Sequence, residues 1–241
     1  MKRQEVDKTV ILDRISQMVK PLNPPVDAFE NSAKRTPFKT LISVLLSSRT
    51  KDPVTHKASD NLFSIASTPN EMVLLDEDRI AQAIFPVGFY RQKAKNIKTI
   101  ARILTQSYNN NIPSTFDELT ALPGVGRKTA NLVLSLAFNQ PSIAVDIHVF
   151  RISQRLGWAK GNKPEEIEEQ LKQSFAPQFW NRINQVLVGF GQTICKPVNP
   201  LCSHCEITEH CLYFNNLEKS AKNNVSGFTK KKIIKGTNQN D

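Results

Sequence analysis

The chain has 241 residues, 39% of them hydrophobic, so it is long enough for two modest domains or one large one without disulfide staples. Lysine and arginine outnumber aspartate and glutamate by 32 to 22, and the net charge of +10 favours a polyanionic partner, nucleic acid first, over an acidic small substrate. No apolar run approaches the length of a membrane span and residues 1–8 lack the apolar core of a signal peptide, so we expect a cytoplasmic protein that does not enter a membrane.

The first half of the chain shows apolar residues at helical spacing in several segments. Val10–Val19 is amphipathic, and Phe38–Leu46 is apolar on nearly every side, as in a helix buried within a bundle. Asp52 and Thr68, each followed by proline, are predicted to cap two further helices, and residues 89–108 carry one apolar face. Because no segment alternates with the period of a strand, the sequence predicts an all-α fold.

A glycine hairpin at Leu122–Asn131, with the sequence LPGVGRKTAN, separates two predicted helices. The short helix before it is predicted to begin with a capping box of Ser114 and Asp117. Gly124 and Gly126 can take positive φ and lack Cβ atoms, so a foreign backbone can approach the free N–H groups of the turn, which suit a phosphate oxygen. On the glycines alone, an ordinary helix–turn–helix connection is an equal alternative.

Lys128 and Asp146 form a second candidate site. The helix climbs roughly 15 Å from Lys128 to Phe138, and the next eight residues span at most about 26–29 Å, so Asp146 can return to the hairpin. A nucleophilic lysine needs a lowered pKa, which burial and a helix N-terminus favour, and a nearby carboxylate could accept a proton or stabilise a cationic transition state. A solvated lysine and a simple N-cap aspartate are the alternatives, and His148 is interpreted as a structural residue.

Four cysteines lie within seventeen residues, and the chain has no others. Disulfides are disfavoured in a cytosolic chain, which leaves a metal ion or a cluster. A zinc site more often shows two C-x-x-C pairs, whereas one such pair flanked by wider gaps suits a 4Fe–4S cluster; the spacing favours the cluster and leaves zinc open. All four sulfurs would be ligands, which indicates a structural role. The candidate ligands are Cys195, Cys202, Cys205 and Cys211.

Taken together, three motifs resemble those of the endonuclease III family of base-excision DNA glycosylases. They are the hairpin Leu122–Asn131, the segment Val145–Arg151 (VDIHVFR) and the C-x6-C-x2-C-x5-C loop, which agree with that family in order and spacing. The resemblance covers roughly Ile11 to Phe214. It implies an all-α fold of two helical domains that flank a DNA-binding cleft.

The same resemblance implies how the chain is divided. A six-helix barrel with the helix-hairpin-helix is expected at residues 30–143, and a discontinuous helical domain with the 4Fe–4S cluster loop at 1–29 and 144–222. Residues 223–241 are rich in lysine and asparagine and have little to bury, which predicts a basic disordered tail. Such a tail lies outside the family pattern and would add nonspecific, salt-sensitive affinity for DNA.

By this resemblance Lys128 matches the family's nucleophile and Asp146 its catalytic carboxylate. The lysine would attack C1′ of a flipped-out nucleotide, release the damaged base, leave a Schiff base and cut the strand on the 3′ side by β-elimination. The family substrates are oxidised or ring-saturated pyrimidines. The implied partner is double-stranded DNA with a damaged pyrimidine or an abasic site, and we expect a monomer associated with the nucleoid that carries a 4Fe–4S cluster.

The DNA-binding residues expected from the hairpin and the polar end of the buried helix are Arg49, Gly124, Val125, Gly126, Arg127 and Thr129. Arg49 departs from the family pattern, because many members have a glutamine there that fills the gap left by the flipped base. Arginine can fill the same space but has a different pairing preference, so the preferred opposite base stays open. From the sequence alone, Ser47, Ser48 and Arg49 could equally be a plain polar helix end.

Three rival functions remain. A monofunctional adenine or mismatch-thymine glycosylase is the nearest, although the lysine at position 128 argues against it. A non-catalytic, cluster-bearing DNA-binding module would make Lys128 and Asp146 bystanders. A zinc-binding regulator would carry zinc instead of iron on the cysteines.

Overall fold

The computed structural model describes residues 6–26 and 36–219, and all regular structure in these ranges is helical, which confirms the predicted all-α fold. None of the helices in these ranges is long and apolar enough to cross a membrane. The main helices are α1 (Lys8–Val19), α2 (Pro37–Ser47), α3 (Asp52–Ile65), α4 (Pro69–Met72), α5 (Glu77–Ile84), α6 (Tyr90–Ser107), α7 (Phe116–Thr120), α8 (Arg127–Phe138), α9 (Ile147–Leu156), α10 (Pro164–Ser174), α11 (Trp180–Thr193) and α12 (212–219).

The first hydrophobic core lies among α2 to α8. Helix α2 is apolar around most of its circumference because it packs against both α3 and α8, and Leu41, Ile42 and Leu46 have no exposed surface. Helix α6 supplies a single apolar face, with Ile97 and Leu104 buried against α4 and α5. In the described part of the chain, six helices of five residues or more, together with the single turn α4, surround this core, in agreement with the expected barrel.

The second hydrophobic core joins the beginning of the described chain to its end. Helix α1 packs against α11, which also packs against α9, and the buried residues of this core include Leu12, Ile152 and Leu187. The first core ends at Leu134 in sequence and the second resumes at Ile143. The domain boundaries at 29/30 and 143/144 stay predictions, and the predicted tail at 223–241 lies outside the described residues.

Two predicted helix starts are displaced by one residue. The capping box of Ser114 and Asp117 is wrong, because the side chain of Thr115 caps α7 and accepts the N–H of Glu118 at 3.4 Å. Asp52 was expected to cap α3 but is its first residue, where its carboxylate still faces the positive end of the helix dipole. The capping box that begins at Thr68 is confirmed.

Candidate active site and nucleic-acid interface

A cleft of about 2890 Å³, including the space at its mouth, lies between the two cores. Its walls come from the loop after α2, the glycine hairpin, the beginning of α9 and one face of α11. Six of the predicted site residues line it, namely Arg49, Gly124, Gly126, Lys128, Thr129 and Asp146. The structure therefore gathers residues that are almost one hundred positions apart in sequence around one open groove.

The glycine hairpin is built from two glycines with different surroundings. Gly124 has φ 77°, and a Cβ there would lie 2.2 Å from Nδ2 of Asn96, so only glycine fits without strain. Gly126 is the N-cap of α8 and has an ordinary φ of −92°, and a Cβ there would meet nothing within 4 Å. No side chain caps α8, so its first N–H groups are left for an outside acceptor such as a phosphate oxygen.

We expect alanine substitution at Gly124 to reduce stability and at Gly126 to reduce duplex binding. Gly124→Ala should lower the free energy of unfolding by at least about 1–2 kcal/mol, because it combines positive φ with a clash. Gly126→Ala should cost only about 0.5–1 kcal/mol of stability, because alanine is a poorer N-cap than glycine, yet weaken duplex binding, because its methyl group occupies the approach to the free N–H groups. Thermal unfolding and duplex titration of both variants check this, and wild-type duplex affinity in Gly126→Ala would contradict it.

Lys128 and Asp146 meet at the cleft. The Lys128 Nζ lies 3.8 Å from Oδ2 of Asp146, and the two side chains are 43% and 13% exposed. The other carboxylate oxygen, Oδ1, caps α9 by accepting the N–H groups of His148 and Val149, both at 2.9 Å. The cap therefore fixes the carboxylate and aims its second oxygen at the amine. Because the amine is half-exposed, any strong burial around it has to come from a bound partner.

His148 is held by the protein rather than left free in the cleft. Its Nδ1 lies 3.2 Å from Nη2 of Arg151, which also donates to the carbonyl of Cys195 at 3.0 Å. Burial lowers the pKa of His148, which favours the neutral imidazole. Gly191 leaves space for the ring, since a Cβ there would lie 2.4 Å from Nδ1. This arrangement matches the interpretation of His148 as a structural residue.

Arg127 does not point freely into the cleft. Its guanidinium forms a bidentate pair with Glu168 of α10, with Nε–Oε2 at 2.7 Å and Nη2–Oε1 at 3.2 Å. Glu168 also accepts from Asn131 and Lys172. Burial alone would raise the pKa of Glu168, but the hydrogen bonds from Arg127 and Lys172 outweigh it and hold the pKa below its usual range. A phosphate contact by the Arg127 side chain would have to compete with this pair.

Two other predicted DNA-binding side chains are buried. Val125 is 5% exposed and packs into the first core, and Thr129 is 8% exposed. Their contribution to a nucleic-acid interface is therefore limited mainly to backbone groups of the hairpin and the first turn of α8.

Phe89 is a candidate interface residue that the sequence reasoning missed. It has φ 57°, immediately precedes α6 and is 64% exposed, and its ring centroid lies 5.4 Å from Cζ of Arg49. Arg49 itself has φ 53°. Sequence reasoning took Phe89 as the first residue of an amphipathic helix, although an aromatic residue directly after Gly88 was an available signal.

The four cysteines form no disulfides and line one pocket with mainly apolar walls. Burial, with smaller effects of nearby groups, raises the pKa of Cys205 to about 11, so a thiolate at this position requires nearby positive charge to be stable. Arg155 places Nη1 3.3 Å from Sγ of Cys195.

The four cysteines supply the sulfur donors of this pocket. Within residues 6–26 and 36–219, no three His, Cys, Asp or Glu side chains are arranged to hold one metal ion. A tetrahedral zinc ion needs its sulfurs about 2.3 Å away, whereas a four-iron cluster is larger and keeps its four cysteine ligands further apart. Four cysteines that line one pocket match the number of ligands that a 4Fe–4S cluster takes.

Comparison with known proteins agrees with this architecture. Residues 42–177 match the family model described as HhH-GPD superfamily base excision DNA repair protein. An endonuclease III from Thermotoga maritima is 46% identical over 200 residues, which are 83% of this chain and 94% of that protein.

Two solved structures are also similar. A non-covalent endonuclease III–DNA complex has a TM-score of 0.78 at 33% identity, covering 88% of this chain and 96% of that one. A trapped endonuclease III–DNA covalent intermediate has a TM-score of 0.76 at 33% identity, covering 88% and 99%. The helical fold and the cleft thus place the chain in the HhH-GPD class. More narrowly, the chain belongs to the endonuclease III family.

Proposed function

We propose that this protein is a bifunctional base-excision repair enzyme, a DNA glycosylase with abasic-site lyase activity that acts on oxidised pyrimidines. The observation that carries the proposal is the approach of the Lys128 amine to the Asp146 carboxylate at 3.8 Å, beside the open N-terminus of α8. An amine, a fixed carboxylate and a set of N–H donors for a phosphate are the parts that covalent base excision needs. Family membership and the similar structures with DNA support the same function.

The chemistry begins with a nucleotide turned out of the duplex into the cleft. The Lys128 nitrogen bonds to C1′ while the glycosidic bond breaks, and the departing base takes the bonding electrons and a proton. Loss of a proton from the nitrogen and opening of the sugar ring give a Schiff base. Removal of a C2′ proton expels the 3′ phosphate oxygen with the electrons of its bond to C3′, and water then releases the lysine.

Asp146 serves this sequence through its free oxygen. With Oδ1 fixed by the helix cap, Oδ2 can take a proton from the Lys128 ammonium or stabilise positive charge that develops on the sugar. Bound DNA would cover the half-exposed amine and exclude water from it. The carboxylate is therefore in place before the substrate arrives.

DNA recognition uses the same wall of the cleft. The N–H groups at the start of α8 are proposed to hold a phosphate, with Gly124 and Gly126 shaping the hairpin. Arg49 would occupy the space of the extruded base, and the exposed ring of Phe89 suits insertion between bases. We propose the division into a barrel at 30–143 and a second domain at 1–29 and 144–222, acting as a monomer on nucleoid DNA, with the basic tail 223–241 adding affinity.

The cysteine cavity is proposed to hold a 4Fe–4S cluster. Cys195, Cys202, Cys205 and Cys211 would be its ligands, and Arg155 would offset their negative charge. When bound, such a cluster supplies a redox-capable iron centre that also cross-links the loop. The cysteine loop is anchored to the second core beside α9 and α11. We therefore propose that the main role of the cluster is structural.

We expect the purified protein to be coloured and to contain about four irons and four sulfides per chain. Cys202→Ser should lose the colour and lower the thermal midpoint, because it removes one ligand of a group whose binding contributes to folding. Ser203→Ala, next to it and exposed, is the control and should keep both. Metal analysis and thermal unfolding measure the effect, and a colourless wild-type protein with zinc would contradict it.

The function is tested with duplexes that carry one oxidised thymine. The proposal expects base release together with strand cleavage on the 3′ side. Base release without strand cleavage would instead favour a monofunctional glycosylase. Duplex binding with neither reaction would favour a DNA-binding module.

A further inference from the structure

Lys93 is buried beneath the loop that carries Arg49, and neither the chemistry nor the phosphate site uses it. The residue lies in the first turn of α6 and is 7% exposed. Its Nζ donates to the carbonyls of Leu46 at 2.8 Å and Ser48 at 2.6 Å and to Oγ1 of Thr50 at 3.3 Å. These three acceptors satisfy all three donors of an ammonium group.

The acceptors are backbone groups that the end of a helix leaves free. Helix α2 ends at Ser47, so the Leu46 and Ser48 carbonyls lie at its negative end, where a cation is favourable. Burial lowers the pKa of Lys93 only to about 8, so the charged ammonium form predominates at pH 7. Lys93 therefore acts as a buried positive cap that fixes the path of the chain after α2.

The loop capped by Lys93 is joined to the loop that precedes α6. Thr50 Oγ1, which accepts from Lys93, also accepts the N–H of Gly88 at 3.2 Å. A Cβ at Gly88 would lie 2.6 Å from the Arg49 carbonyl, so the two backbones are in close contact. We name the paired side chains of Arg49 and Phe89, which project from these two loops, the Arg49–Phe89 edge.

The two residues of the edge have an unfavourable backbone conformation. Arg49 and Phe89 both have positive φ, 53° and 57°, which costs non-glycine residues on the order of 1 kcal/mol or more each. Such conformations persist only where the surrounding contacts enforce them. Here the contacts are the hydrogen bonds of Lys93 and Thr50.

We propose that Lys93 is a positioning residue that sets the Arg49–Phe89 edge and thereby the preference of the enzyme for the base opposite the extruded nucleotide. This inference rests on the proposed function. Arg49 offers only hydrogen-bond donors, so its discrimination among four bases depends on where its guanidinium lies relative to their acceptors. If the loop relaxed from this conformation, the protein would still bind DNA, but the Arg49 guanidinium would no longer be aligned with the acceptors of the opposite base.

The test compares Lys93→Met with Arg49→Ala and the double variant on one oxidised thymine placed opposite each of the four bases. We define the spread as the ratio of the fastest to the slowest of the four excision rates. We expect Lys93→Met to reduce this ratio by about tenfold, because it slightly misplaces a recognition group. The double variant should show no further change, since both substitutions remove the same discrimination. A parallel fall at all four bases, or an unchanged spread, would overturn the proposal.

Lys98→Met is the matched control. Lys98 lies on the same helix and also donates to backbone carbonyls, those of Val73 and Leu75, but away from the edge. It should leave the spread of the four rates as in the wild type, and a loss equal to that of Lys93→Met would count against the proposal. If Lys93→Met does not fold, Thr50→Val removes the shared hydroxyl group, and a folded Thr50→Val with the wild-type spread would equally overturn it.

Binding separates failure of this inference from failure of the proposed function. The affinity for duplexes with a stable tetrahydrofuran abasic analogue opposite each base measures how the Arg49–Phe89 edge discriminates among the four bases, without any catalysis. If the wild type excises nothing, the proposed function fails while these affinities still test Lys93. If it excises equally opposite all four bases and binds all four analogues equally, the inference fails while the function stands.

Discussion

Lys128→Ala is expected to abolish strand cleavage at an oxidised thymine while duplex binding persists. The single-turnover rate should fall by at least about 10³-fold, because removal of a covalent nucleophile closes the pathway through the Schiff base. Binding should change only a few-fold, since Lys128 contributes one positive charge among many. The side chain is 43% exposed, so its truncation opens no cavity in the core and the fold should be retained.

Lys57→Ala provides the control for the loss of charge. Lys57 is exposed on α3 and does not line the cleft. Its removal should leave the cleavage rate near that of the wild type. Single-turnover cleavage and duplex titration of both variants distinguish the two lysines, and substantial cleavage by Lys128→Ala would show that another group is the nucleophile.

Two substitutions of Asp146 are expected to distinguish its role in catalysis from its role as a helix cap. Asp146→Asn keeps an oxygen that can accept the N–H groups of His148 and Val149, so the stability of α9 should change little. It loses the negative charge that faces Lys128, and we expect base excision to slow by about 10²–10⁴-fold.

Asp146→Ala removes both functions of the side chain. It should lose activity to a similar extent and, in addition, about 1 kcal/mol of stability through the lost helix cap. Thermal unfolding and single-turnover excision of the two variants measure this difference. An active Asp146→Asn enzyme would show that Asp146 serves only as a cap.

The parts of the site that sequence reasoning anticipated depend on short stretches of chain. Only eighteen positions separate Lys128 from Asp146, and the rise of one helix together with the reach of an extended segment already allows them to meet. The cap at Asp146 is also local, because it follows from a side chain next to the start of a helix. Local geometry of this kind carries over from sequence to structure.

Contacts between distant residues were not accessible in the same way. Arg127 and Glu168 are 41 positions apart, and Lys93 and Ser48 are 45 apart, so no periodicity or cap relates them. Arg127 was expected in the DNA interface because of its charge, yet the fold of α10 gives that charge an internal partner. Lys93 lies in the segment 89–108, for which the sequence indicated only one apolar face, yet three backbone and side-chain oxygens bind its ammonium group.

The error at the capping box has a different origin. Ser114 and Asp117 have the same three-residue spacing as Thr115 and Glu118, so the sequence pattern fits two adjacent registers. The structure selects the second, in which the Thr115 hydroxyl also donates to the Glu118 carboxylate at 2.5 Å. Burial of Leu119 at 0% exposure accompanies this register of α7.

Borohydride reduction during reaction with an abasic-site duplex, followed by peptide mapping of the adduct, tests the central claim most directly. A covalent DNA adduct on the peptide that contains Lys128 is the predicted result, because reduction traps the Schiff base at the attacking amine. An adduct on another lysine, or none while the duplex remains bound, would contradict the assignment of Lys128 as the nucleophile.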